Sequence, residues 1–317
     1  MKMKKRFVAM TMAALMAVTA LTGCGSSAKE TPETLTFTYV TAPLNVPSII
    51  EKEKGIFAEA LADMGINVEY AELTSGADQT QALASGDVQV LYAVGATSVI
   101  LSAANDADIK VLNVYSRSPK AYCMYSQDES LTTPESLRGK TIAGPAGTTL
   151  HELLVSYLAT ADMTIEDVNY VNMSIPEAKA SLDGGSIDVA LLAGAAAYTA
   201  KLQGCNLVAD GEGLVDGINA VAVTEEFYNA HPEIIEKLKN AQDEIASFMA
   251  ENEEEALQMT ADTLDLELSA VKEMFAQYDF SANVKDSDKI GFQRTADFLL
   301  ANGMIEEELD VNTLFFE

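Results

Sequence analysis

The chain has 317 residues, 48% of them apolar and 21% charged, with 48 acidic against 20 basic side chains and a net charge of −28 at pH 7. So acidic a surface repels nucleic acid and anionic lipid headgroups, which excludes both as partners recruited by charge. Length and apolar content together allow two domains of ordinary size or one large one, with real cores.

Residues 1–23 read as an address, not as part of the fold. Lys2, Lys4, Lys5 and Arg6 make a cationic start, and the apolar run from Phe7 to Ala20 is too short to span a bilayer comfortably. Leu21-Thr22-Gly23-Cys24 closes the run with small residues. This tetrapeptide resembles a bacterial lipobox, which implies cleavage before Cys24 and a lipid on that cysteine; a plain secretory signal with an incidental cysteine is the other reading. Removing residues 1–23 takes away four positive charges and no acidic ones, moving the net charge from −28 to −32. Residues 24–34, with Ser, Thr and Glu and little apolar content, read as a flexible tether. After Cys24 only Cys123 and Cys205 remain, a pair that allows one disulfide or two buried thiols.

From Leu35 strand-like and helical patterns alternate. "LTFTYV" (35–40) is strand-like, "SIIEKEKGIFAEALADMG" (48–65) is helical with an interruption at Gly55, and "NVEYAEL" (67–73) alternates as a half-buried strand. A helix over 77–86, a strand over 88–93, a helix over 97–105 and a strand over 109–116 complete a βαβαβ series, the grammar of a mainly parallel sheet with helices on both faces. The cycle then restarts: strand 121–126, helical turn 133–140, strand 141–144, helix 148–160, strand 168–173, helix 176–185, strand 187–193, helix 195–204 and strand 206–209. Two α/β units of similar size predict a cleft between them, the natural place for a site. "INAVAVT" (218–224) is a last strand. From Pro232 to Asn302 the chain is helical, acidic and amphipathic, and its charge runs, such as Glu251 to Glu255, read as a solvated face.

A catalytic constellation is missing from the sequence. His151 and His231 are the only histidines, both near helix starts, where a surface or capping role is commoner than that of a base. The chain has no HExxH, no paired CxxC and no Gly-x-Ser-x-Gly. Gly139-Lys140-Thr141 lacks the first glycine of a phosphate loop, since Pro134 stands there, and it precedes a strand where that loop must follow one. What recurs instead is a strand running into small or hydroxyl residues at a helix start, at 73–80, 93–98, 144–149 and 192–198. In a parallel α/β sheet such turns gather at the carboxyl ends of the strands, where backbone N–H groups and the helix dipole favour an anion.

The segments "EKEKGIFAEA", "NVEYAEL", "QALASGDVQV", "SLRGKTIAGPAGTTLHELL", "AKASLDGGSIDVALL" and "VAVTEEFYNAHPEIIEKL", in that order, resemble the solute-binding lipoproteins of bacterial ABC importers. The resemblance spans nearly all of residues 35–317 and points to the group whose members bind taurine, alkyl sulfonates, nitrate or the pyrimidine precursor of thiamine. It implies an α/β fold of two lobes of the periplasmic-binding-protein type (type II), with lobe I at 35–115 plus 222–317 and lobe II at 116–221. It also implies a pocket at Pro43, Leu44 and Asn45, at Ser75 and Gly76, at Gly95, Ala96 and Thr97, at Gly147, Thr148 and Thr149, and at Gly194 and Ala195. Many members carry a tryptophan after the strand ending near 193; this chain has Gly194-Ala195-Ala196-Ala197-Tyr198 and no Trp at all, which weakens the case for stacking on an aromatic ligand.

The function so implied is capture of a small organic anion, a sulfonate above all, by a lipid-anchored extracytoplasmic monomer. It would hand its ligand to a permease and its ATPase, with no catalysis, cofactor or metal. No arginine lies in the five turns to favour a carboxylate fork. A neutral heterocycle such as a thiamine precursor is the alternative ligand, and a sensor lipoprotein or an enzyme on the same fold are the alternative functions.

Overall fold

The computed structural model describes residues 31–73 and 75–316, so the expected signal segment 1–23 and the expected lipid site Cys24 lie outside the described residues. The first α/β series runs β1 (Thr34–Thr38), α1 (Val46–Lys54), α2 (Ile56–Leu61), β2 (Asn67–Ala71), α3 (Gly76–Ser85), β3 (Leu91–Gly95), α4 (Ala96–Ala103) and β4 (Lys110–Arg117). The interruption at Gly55 is a helix break: with φ at +66° its N–H closes α1 onto the Glu51 carbonyl, a left-handed geometry that glycine adopts without penalty.

The second series runs β5 (Tyr122–Ser126), β6 (Thr141–Gly144), α5 (Thr149–Ala159), β7 (Asn169–Asn172), α6 (Ile175–Asp183), β8 (Val189–Ala193), α7 (Gly194–Leu202) and β9 (Asn206–Asp210). After β10 (Ile218–Val223) come α8 (Glu225–Ala230), α9 (Pro232–Glu251), α10 (Glu253–Leu264), α11 (Leu268–Phe275) and α12 (Asp286–Ala301). Among the described residues no helix is long and apolar enough to cross a membrane.

Strands β1 and β2 pair in parallel, and Phe37 of β1 forms a parallel bridge to Val90, which leads into the ladder β3-β10-β4. The second sheet has the order β7-β6-β8-β5-β9. With β6 to β9 counted as the second sheet's own series and β5 as the strand that leads into it, both orders follow one rule: the first strand of a series lies between the second and third, and a strand from outside the series separates the third from the fourth. Those two intruders, β10 and β5, run antiparallel to both neighbours. The sheets are therefore mixed, each parallel-type series taking in one antiparallel strand. Short buried apolar runs carry no sign of direction, so the sequence pattern is silent on this point.

Helices cover both faces of each sheet, which is why β8 (VALLA) and β10 (INAVAV) are buried along their whole length. On the first sheet, α1, α2, α9, α10 and α11 pack one face, while α3, α4 and α12 pack the other. Helix α9 docks through Ile234, Ile235, Leu238, Ala241, Ile245 and Met249, one stripe at helical spacing. Full burial of each large aliphatic side chain contributes about 1.5–3 kcal/mol. Cys123 is buried and Cys205 half-buried, and both are free thiols.

The chain crosses from the first sheet to the second over 118–121 and returns over 211–217. These crossings lie side by side: Ser118 N–H donates to the Gly217 carbonyl at 3.1 Å, and a β-carbon on Gly211 would stand 2.4 Å from the Pro119 carbonyl oxygen. Arg117, at the end of β4, ties a third segment to them. Its Nε and Nη2 donate to the two carboxylate oxygens of buried Asp288 at 2.6 Å each, and its Nη1 and Nη2 reach the Ser281 and Asn283 carbonyls at 2.8 Å.

Candidate ligand site at the helix starts

Helices that follow the first and third strand of each series begin without a side-chain cap. They are α1 behind Asn45, α4 behind Gly95, α5 behind Thr148 and α7 behind Ala193. Helices that follow the second strand are capped by serine: Ser75 Oγ accepts from Asp78 N–H at 3.1 Å, and Ser174 Oγ from Glu177 N–H at 3.4 Å. The same division in both sheets leaves four helix starts without a capping side chain, where the dipole favours an oxyanion; at α1, however, Pro47 has no N–H and Ser48 N–H already donates to the Tyr115 hydroxyl at 3.2 Å, so the free amides belong to the other three.

Turns of the two sheets meet. Gly194, with φ at +57°, lies against the β1–α1 turn so closely that a β-carbon would stand 2.1 Å from the Pro43 carbonyl oxygen. A β-carbon on Gly147 would stand 3.8 Å from Leu101 Cδ1. Leu101 lies one turn beyond Thr97 on α4, so Thr97 shares the face that α4 turns toward the β6–α5 turn. Gly95 pairs with Asn219 of β10, whose Oδ1 would be 3.7 Å from a β-carbon there. Ser75 and Gly76 are placed differently: Ser75 caps its own helix, and Gly76 abuts Ser98, whose Oγ would stand 2.0 Å from a β-carbon. Leu44 is fully buried in the first sheet's core, Ala96 is buried, and Ala195 is exposed.

Hydroxyl and amide groups supply the polar chemistry. Thr97 is 2% exposed and its Oγ1 has no hydrogen-bond partner; the Asn45 Oδ1 and the Tyr278 hydroxyl are likewise buried without one. An unsatisfied buried polar group costs about 1–3 kcal/mol, which a ligand can recover. Asn45 Nδ2 is engaged with the Val40 and Ala42 carbonyls at 2.8 and 3.1 Å, so what it offers is an acceptor. Thr148 Oγ1 donates to the Pro145 carbonyl at 2.8 Å, bracing the turn, and Ala146 N–H is held by Asn172 Oδ1 at 2.9 Å. Burial pushes the Tyr122 phenol up from its ordinary value, while side-chain hydrogen bonds with Asn219, Thr149 and Ser118 pull it partly back.

Tyr122, Asn219, Ser118 and Tyr278 escaped the reading by turns because they lie on strands, a crossing and a loop. Their signal was available in part. Asn219 interrupts the apolar strand "INAVAV" and is 6% exposed, where it donates to Ser116 Oγ at 3.2 Å. A buried amide in an apolar strand demands partners and so marks a polar centre.

The two carboxyl-proximal residues of α5's first turn behave unlike surface groups. His151 is buried, not a surface residue: its Nδ1 accepts from Gly147 N–H at 3.3 Å, its ring stacks on Tyr170 at 4.8 Å, and burial lowers its pKa. Glu152 is 2% exposed, and burial pushes its carboxyl up to about 7. Thr295 Oγ1 of α12 donates to both its oxygens, at 3.1 and 3.2 Å.

Two sheets of one strand order, joined by paired crossings and facing each other through open helix starts, define the periplasmic-binding-protein fold. The family model described as NMT1/THI5 like matches residues 43–256, about two thirds of the chain, and the protein belongs to that family. The chain is 24% identical over 269 residues to the "Putative aliphatic sulfonates-binding protein" of Bacillus subtilis (strain 168), covering 84% of this chain and 81% of that one. It is 26% identical over 193 residues to the taurine-binding periplasmic protein of Escherichia coli (strain K12), covering 60% and 58%. Among solved structures, the alkanesulfonate-binding protein SsuA from Xanthomonas axonopodis pv. citri, bound to MOPS, superposes with a TM-score of 0.80 at 20% identity, covering 90% and 98%. The desulfurization enzyme DSZB shares the fold at a TM-score of 0.68 and 16% identity, covering 90% and 96%, so the fold by itself does not separate binding from catalysis.

Proposed function

We propose that the protein is the extracytoplasmic substrate-binding component of an ABC importer, closing two lobes on a small organic anion of the sulfonate or taurine type and performing no chemistry on it. The observation that carries this reading is the repeated division between serine-capped and open helix starts. Lobe I is assigned to 35–115 plus 222–317 and lobe II to 116–221, with the crossings beside Pro119 as the hinge. A lipid on Cys24 would hold the monomer at the membrane, and a permease with its ATPase would take delivery.

Neutral donors suit the ligand's head group. A sulfonate is fully ionised and carries no hydrogen, so it accepts from amides and from Thr97, Thr149, Tyr122 and Tyr278 hydroxyls without needing to donate. The Asn45 acceptor suits an ammonium such as taurine's. Thermal unfolding with a panel of alkanesulfonates, taurine, nitrate and a hydroxymethylpyrimidine tests the proposal. Upward shifts with sulfonates or taurine support it; a shift with the pyrimidine alone would discard the anion reading.

A further inference from the structure

One face of α12 is turned toward the second sheet's layer. Gly291, Arg294, Thr295 and Phe298 recur at helical spacing. A β-carbon on Gly291 would stand 2.9 Å from Asp216 Cγ, Arg294 Nη1 donates to Asp216 Oδ2 at 2.9 Å, Thr295 bonds Glu152, and Phe298 meets the His151 ring edge-on at 6.2 Å. The neighbouring face, Phe292, Ala296 and Leu299, is fixed in the first sheet's core. Helix α5 on the other side of this seam is the helix that opens the candidate site, and Glu152 N–H donates to the Thr148 carbonyl at 3.0 Å.

We infer that the Glu152 carboxyl is a proton-operated latch on lobe closure: protonated, it stays buried against Thr295 and holds α5 on α12, and ionised, it draws the seam open toward water. The inference rests on the two-lobe binding reading and adds regulation to it. The groups that face Glu152 are Thr295 and Arg294 from α12, Asp216 from the segment before β10, and Tyr122 from β5. Arg294 is engaged with Asp216, and Asp216 adds like charge. His151, its neighbour on α5, is stacked on Tyr170, and burial lowers its pKa. One hydroxyl donor shared between two oxygens leaves a buried carboxylate poorly solvated, whereas the same contact satisfies a protonated carboxyl.

The sign follows from the two states. In the closed seam the carboxyl titrates near 7, while a carboxyl returned to water titrates near its ordinary 4.5. Closure therefore takes up a proton between pH 4.5 and 7. It is favoured on the acid side of that window, weakens by at most about tenfold per pH unit as pH rises through it, and changes no further above it.

Solution scattering of the ligand-free protein at about pH 5 and pH 8 tests the latch directly. The wild type should expand at the higher pH, and Glu152→Gln, which keeps the hydrogen bond without the charge, should stay compact at both. Equal wild-type dimensions at the two pH values, or a Glu152→Gln protein that expands like the wild type, would overturn the inference. Should that variant not fold, Thr295→Val, which deprives the carboxyl of its donor, should be more expanded than wild type at acid pH; identical dimensions overturn the latch.

Calorimetric titration with ethanesulfonate, which has no proton of its own in this range, in buffers of different ionisation enthalpy near pH 6 separates the two readings. Uptake of up to one proton, lost in Glu152→Gln, supports the latch. Tight binding without proton uptake overturns the latch and leaves the binding function standing. No sulfonate binding, with the pH-dependent expansion intact, supports the latch and counts against the substrate.

Discussion

Gly194 and the Pro43 carbonyl are in contact, at a spacing that leaves no room for a β-carbon between the β8–α7 and β1–α1 turns. These residues are 151 positions apart in the chain and belong to different sheets. Their contact is where the two halves of the candidate site touch.

Gly194→Ala should therefore hold the turns apart. The left-handed φ of +57° adds about 1–2 kcal/mol of local strain, so a modest loss of stability is expected alongside a loss of ligand affinity of at least about tenfold. Calorimetric affinity and the thermal midpoint, measured together, check this. Unchanged affinity in a slightly destabilised protein would mean that the contact is no part of closure on ligand.

Arg117 and Asp288 form a bidentate pair, and Asp288 is 1% exposed. Arg117→Met should destabilise by about 3–5 kcal/mol because it strands a buried carboxylate, whereas the Arg117→Met/Asp288→Leu pair should recover much of that loss. Urea unfolding of both variants measures the difference. Equal losses would show that the guanidinium's bonds to the 281–283 carbonyls matter more than the charge pair.

Much of the architecture was legible because each helix and strand of the two series is its own hydrophobic pattern. The strand expected over 141–144 is β6 at Thr141–Gly144, and the helix expected over 148–160 is α5 at Thr149–Ala159. The place of β10 was not legible: it reads as a terminal strand, yet lies between β3 and β4, because pairing across about 100 residues leaves no local trace. Glu152 was invisible for a similar reason. An acidic residue in a first helical turn reads as ordinary dipole chemistry, and only the approach of α12, some 140 residues later, buries it.

Glu51 gives a pH test of stability that is independent of ligand. It is 1% exposed, accepts from the Tyr70 hydroxyl at 2.7 Å and Phe57 N–H at 3.2 Å, and burial pushes its carboxyl up to about 7 from an ordinary 4.5. The folded state thus binds a proton that the unfolded state has released between those values, and stability should fall as pH rises from 4.5 to 7. Denaturant unfolding of wild type and Glu51→Gln should show a loss on the order of 1–3 kcal/mol across that window in the wild type, reduced in the variant. Parallel pH profiles would show that Glu51 is ionised in the folded protein.

The central claim, that open helix starts hold the charged end of a small organic anion, is tested most directly by calorimetric titration of ethanesulfonate and taurine into wild type and Thr148→Val/Thr149→Val. Thr148 Oγ1 already donates to the Pro145 carbonyl, so the ligand donor that the double variant loses is the Thr149 hydroxyl, while Thr148→Val also removes the brace on the turn. A hydrogen bond to a charged group contributes about 1.5–3 kcal/mol, and the variant, folded as judged by circular dichroism, should bind at least about tenfold more weakly. Tight binding that survives the double substitution unchanged, or binding of a neutral pyrimidine with no response to either anion, would contradict the account.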